Sequence, residues 1–141
     1  MTRLLELSKT EDLVRLPKID WHAAKLLWHD DYWDGPKSGL LLYQDKRYWF
    51  QVFEESDDSD LSDFFRRFVI LELTEIQMKE EEHWHDLFRE KVGTHTDYDE
   101  SGMRVIGALK PEEMWHEFYD AYKKRQKPDL SNNIVIGWSE V

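Results

Sequence analysis

The chain has no cysteine in its 141 residues. That excludes a disulfide framework, a thiolate zinc site and a cysteine nucleophile, and it fits a reducing compartment. There are only four prolines and six glycines, and no Gly/Ser linker, internal repeat or low-complexity tract separates one part from another. Long apolar runs are missing as well. Met1–Leu7 holds a brief one, interrupted by Glu6, whereas a secretory signal needs about 7–15 apolar residues and a membrane span roughly 18. A cytosolic protein without membrane contact is expected. Positive charge is in deficit: 19 Lys and Arg face 30 Asp and Glu, a formal net charge of −11. Such a balance disfavours nucleic acid, which needs a basic face for its phosphates.

Catalytic signatures are also wanting. The chain has no Gly-x-Ser-x-Gly elbow, no His-Glu-x-x-His and no glycine-rich dinucleotide fingerprint. Gly35-Pro36-Lys37-Ser38-Gly39 fails the spacing of a phosphate loop, and Pro36 removes an amide that an anion would need. A non-enzymatic protein without a cofactor is therefore expected.

What is present is aromatic and acidic. Seven Trp, seven Phe and six Tyr supply rings that bury on the order of 150–250 Å² each, enough to dominate a core. A chain of this length buries roughly two-thirds of its unfolded surface, so one α+β domain spanning residues 1–141 is expected. Leu40–Tyr43 and Arg47–Phe53 form a strand pair around polar Gln44-Asp45-Lys46. In the second arm Tyr48, Phe50 and Val52 share one face and Trp49, Gln51 and Phe53 the other, which predicts a sheet covered on both sides. Arg67–Leu73 reads as a third strand. Thr74-Glu75-Ile76-Gln77 matches a capping box that opens a helix to about Val92, with Gly93 as its stop. After a polar loop, Met103–Leu109 reads as a strand. Lys110-Pro111-Glu112-Glu113 then opens a helix bearing Met114, Trp115, Phe118, Tyr119 and Tyr122, and Asn133–Trp138 closes the chain as a strand. For Asp20–Trp28 the balance tips to a short capped helix over an edge strand. The predicted architecture is a mainly antiparallel sheet with two long helices on one side, ordered roughly α-β-β-β-α-β-α-β.

Two segments stand out for function. The first is Trp28-His29-Asp30-Asp31-Tyr32-Trp33-Asp34, where rings and carboxylates adjoin before a Gly35-Pro36 turn. Its aspartate spacing resembles the magnesium motif of terpene and prenyl synthases. That motif works on a long helix, which Gly35-Pro36 forbids here, and the chain is far too short for such an all-helical enzyme. The second is the acidic loop expected at Glu54–Asp63, with Asp57, Asp58 and Asp60 at its centre. Acidic groups accelerate encounter with a basic partner, while Trp and Tyr supply desolvated contacts. Trp28, Asp30, Asp31, Tyr32, Trp33, Asp34, Asp57, Asp58 and Asp60 are thus candidate binding residues for a basic protein, as in an acidic inhibitor or immunity-like protein. The competing reading is a small metal-dependent enzyme or ligand binder with a pocket near Trp28–Asp34, in which His29, Asp30 and Asp34 would be the metal ligands. Self-association through the aromatic face is a third. His83 and His85 lie about 200° apart on a helix, too far round to share a metal. Lys123-Lys124-Arg125, with Lys127, reads as complementing a helix C-terminus.

Overall fold

The computed structural model describes residues 1–29, 37–56, 65–93, 96–98, 100–101, 103–106 and 108–141. It is α+β, with a six-stranded antiparallel sheet and helices. Cα packing divides the chain into two compact units, Met1–Leu73 with Leu130–Val141, and Thr74–Asp129.

The first unit holds the large sheet. Its strands are β1 (Thr2–Arg3), β2 (Lys25–His29), β3 (Ser38–Tyr43), β4 (Lys46–Glu55), β5 (Arg66–Leu71) and β8 (Ile134–Glu140). The spatial order is β1-β8-β5-β4-β3-β2, so β2 to β5 run as a meander and the closing strand returns beside β5. The predicted hairpin is present. β3 and β4 pair from Ser38↔Gln51 to Tyr43↔Lys46, and Gln44 and Asp45 turn the chain at φ 50° and 65°. Positive φ at both central residues is what the tight hairpin turn matching strand twist requires.

The two faces of β4 separate as the alternation predicts. Phe50 sits in a core with Ile19, Leu41, Phe68 and Ile70, and Tyr48 and Val52 pack against that cluster. Trp21 stacks on Phe68 at 4.8 Å between centroids and meets Phe50 edge-on at 5.3 Å. Each large buried side chain stabilises the sheet by about 1.5–3 kcal/mol. On the other face Trp28, Leu40, Trp49 and Leu71 are successive register partners across four strands. Leu40, Trp49 and Leu71 are buried there, and Trp28 meets Trp49 edge-on at 5.6 Å.

Residues 20–28 overturn their expectation. Asp20 does act as a cap, accepting the His22 N–H at 3.0 Å, but only for a 3-10 turn over Trp21–Ala23. The chain then extends into β2. Pairing with β3 buries Leu26 against the Phe50 cluster and Trp28 against Trp49, a two-faced burial that an isolated helix stripe cannot match. Gly39 makes this edge possible, because a Cβ there would collide with the Trp28 carbonyl oxygen and the Phe50 ring.

The second unit holds α2 (Glu75–Lys91), β6 (Thr96–Tyr98), β7 (Arg104–Ile106) and α3 (Trp115–Lys124); the short α1 (Thr10–Leu13) belongs to the first. The capping box forms as read. Thr74 Oγ1 accepts the Gln77 N–H at 3.2 Å, and Gln77 Oε1 accepts the Thr74 N–H at 2.9 Å. Gly93 ends the helix at φ +90°, where its N–H reaches the Phe88 carbonyl at 2.9 Å. The strand expected at 103–109 is present as β7, but it pairs with β6 in a separate two-stranded sheet. β6 itself falls in the stretch read as a polar loop. α3 is preceded by a 3-10 turn over Glu112–Met114 capped by Pro111, and the Trp115 indole N–H donates to the Lys110 carbonyl at 2.9 Å. α2 and α3 are joined by rings: Phe118 contacts Trp84, Phe88 and Tyr122 at 6.2, 5.3 and 5.1 Å. Among the described residues no helix is long and apolar enough to cross a membrane.

Candidate functional site

Antiparallel pairing sends alternate strand ends to the same edge of a sheet. β2 finishes at His29, β3 starts at Ser38, β4 finishes at Glu55, β5 starts at Arg66 and β8 finishes at Glu140, all at one end. That end is built from ion pairs. Register sets Glu55 opposite Arg66, Glu54 opposite Arg67, and Arg67 opposite Glu140. Successive side chains point to opposite faces, so the two arginines organise two separate groups.

On one face the Arg67 Nε donates to Glu140 at 2.7 Å and its Nη1 to Glu54 at 3.1 Å. The guanidinium also lies 4.2 Å from the centroid of the Phe65 ring. The hydrogen bond to Glu140, helped by Glu54 and opposed by burial, holds Arg67 above the ordinary guanidinium pKa. On the other face the buried Arg66 donates from Nε to Glu55 at 2.9 Å, and Lys37 Nζ approaches the same carboxylate at 3.4 Å. Backbone bonds carry the order to the last residues. Ser56 N–H donates to Phe65 O at 3.0 Å, Arg66 N–H to Val141 O at 3.1 Å, and Val52 N–H to Lys37 O at 2.7 Å.

This frame is formally neutral, with Lys37, Arg66 and Arg67 against Glu54, Glu55 and Glu140. The segments that join β2 to β3 and β4 to β5 leave from it and return to it. By sequence they add Asp30, Asp31 and Asp34 in one, and Asp57, Asp58, Asp60 and Asp63 in the other. Both acidic segments singled out in the sequence are therefore anchored at one end of the sheet, on neighbouring hairpins.

The individual candidates divide accordingly. Trp28 is half-buried in β2 with one side against Trp49. Asp30, Asp31, Tyr32, Trp33, Asp34, Asp57, Asp58 and Asp60 lie outside the described residues. His29 ends β2, half-buried, while the Asp30 and Asp34 expected beside it as metal ligands also lie outside the described residues. Among the described residues no three His, Asp or Glu side chains gather so as to hold a metal ion. His83 and His85 stand on α2, as expected from the capping box.

Three participants escaped the sequence reading. Arg66 and Glu140 were not singled out, and Arg67 was read only as the start of a strand; Glu54 and Glu55, expected to open an acidic loop, instead end β4, where Arg67 and Arg66 pair with them. A signal existed: Glu54-Glu55 before the acidic connection and Arg66-Arg67 after it are opposite charges mirrored across a hairpin. Arg125 is a correction. Lys123 and Lys124 do lie in the last turn of α3, but the Arg125 side chain is 4 % exposed and paired with Glu81. Burial of a guanidinium beside a buried carboxylate outweighs a surface interaction with the helix end. Comparison with protein-family models, curated proteins and solved structures finds no match for the chain.

Proposed function

We propose that this protein is a non-enzymatic interaction module, an acidic inhibitor that engages a basic protein through the carboxylate-rich end of its main sheet. The observation that carries the reading is the common anchorage of the two acidic segments. Residues 30–36 and 57–64 are distant in sequence, yet their flanking strands end side by side on a frame whose own charges already cancel. Seven aspartates are added at that one end. A concentrated negative potential of this kind steers a cationic partner and raises its on-rate by about 10–10³-fold at low salt. The ion-paired strand ends supply a rigid base, which limits the ordering cost of association.

The test begins with capture from native lysate at low ionic strength and release by salt, followed by association kinetics with the released protein. Asp57→Lys, Asp58→Lys and Asp60→Lys combined are expected to slow association about tenfold or more at low salt, with the gap narrowing as salt screens it. An unchanged on-rate at low ionic strength would overturn the reading.

A further inference from the structure

The second unit contains a guanidinium-binding arrangement that no sequence motif announced. Glu80, Glu81 and Trp84 stand on α2 at spacings of three and four residues, which places them on one helical face. Tyr122 approaches from α3, its ring 5.5 Å from that of Trp84 and steeply inclined to it. Together they offer two carboxylates and two aromatic rings around one small volume. Arg125 fills it. Its guanidinium lies 5.3 Å from the Trp84 ring and 5.4 Å from the Tyr122 ring, within the range in which rings attract a cation. Burial alone would lower the Arg125 pKa, but the hydrogen bond and charge of Glu81, with Tyr122 and Glu80, hold it above the ordinary value.

The fit of this occupant is incomplete. Nη2 donates to Glu81 at 2.7 Å, but the second bond to Glu81 is 3.5 Å and that to Glu80 is 3.4 Å. The buried Nε has no acceptor among the described residues. A planar fork matches a carboxylate with two parallel short bonds; here the second is long. The two aromatic walls have supports besides the occupant. Trp84 and Tyr122 are held by the buried Phe118, and Phe88 supports Phe118 from behind. Arg125 itself lies just past α3 with an extended backbone, and Gln126–Asp129 belong to no helix or strand. Its withdrawal breaks no helical turn beyond the cap.

We propose that Glu80, Glu81, Trp84 and Tyr122 form an arginine-receiving site kept closed in cis by Arg125, and that an arginine of the basic partner competes for it. This deepens the function proposed above and rests on it only for the source of the incoming arginine. The site is specific for a guanidinium over an ammonium, because two carboxylates and two flat rings match a planar fork better than a point charge.

The test uses argininamide as probe and lysinamide at equal ionic strength as its control. In Arg125→Ala, Glu81 is left buried without its counter-charge, which destabilises α2 and α3. Argininamide is expected to raise the melting temperature of this variant, while lysinamide leaves it unmoved. Arg125→Lys keeps a cation in the site, so the fold is retained; there argininamide should shift the Trp84 indole N–H resonance, assigned through Trp84→Phe, on the order of tenfold more strongly than lysinamide. The native chain, whose own arginine competes, should shift less at the same concentration. Equal responses to both probes, no response in either variant, or an equal shift in native and Arg125→Lys chains would each overturn the proposal. Such a failure is distinct from failure of the acidic-end reading, which Asp57, Asp58 and Asp60 test without touching this site.

Discussion

Gln44 and Asp45 hold the β3–β4 hairpin at φ 50° and 65°, a conformation that costs an ordinary L-residue about 1–2 kcal/mol. Asn and Gly adopt it with less strain and are favoured in this turn. Gln44→Asn combined with Asp45→Gly should therefore raise the unfolding free energy by about 1 kcal/mol, allowing for the extra unfolded-state freedom of glycine. A urea midpoint that moves up at constant slope is the expected result. Asp12 makes a second prediction at this scale. Its carboxylate accepts the Ser8 N–H at 2.9 Å and the Lys9 N–H at 3.1 Å, and these bonds, Ser8 first, lower its pKa below 3.8. A folded value below the unfolded one means that the stabilisation is complete above the unfolded pKa and disappears as pH falls through the folded pKa. Carbon-13 titration should place the Asp12 midpoint below that of an unfolded aspartate, with α1 losing order as pH falls through that midpoint.

At the scale of elements, the local rules decided where the chain offers a complete local signature. Thr74 and Gln77 exchange both bonds of the capping box, and Thr74→Ala should cost about 1 kcal/mol, seen as a lower melting temperature and faster amide exchange in the first turn of α2. Gly93 stops the same helix because only a residue without Cβ takes φ +90° against the Ala108 carbonyl. Where the signature was partial, packing won. Asp20 caps a single 3-10 turn, and the residues after it became an edge strand because β3 presents Leu41 and Leu40 as partners for Leu26 and Trp28. The candidate binding segments were legible as composition, but the ion pairs at the strand ends that flank them were not.

Across the whole molecule, charge and topology act together. A net charge of −11 in 141 residues favours encounter with cations at any orientation, yet a distributed charge specifies no contact. The meander of β2 to β5 brings the flanks of both acidic connections to one end of the sheet, while the β3–β4 turn lies at the other end. Between about 0.01 M and 0.15 M salt the screening length falls from roughly 30 Å to 8 Å. Under the proposed function, long-range steering by the sheet end is then lost, whereas the Arg125–Glu81 contact, sheltered from solvent, persists. Association kinetics should therefore respond to salt far more than the stability of α2 and α3 does.

The sequence by itself determined the charge, the two-faced β4, the capped α2 and the place of the central hairpin. Each of these depends on groups within a few residues of one another, or on a simple count. Tertiary structure alone decided that β2 is a strand, that Arg67 bonds both Glu54 and Glu140, the latter 73 residues away, and that Arg125 is enclosed by Glu81 and two rings. Those outcomes follow from burial shared between distant segments, whose register is set when hydrophobic faces meet and is written in no single stretch of chain.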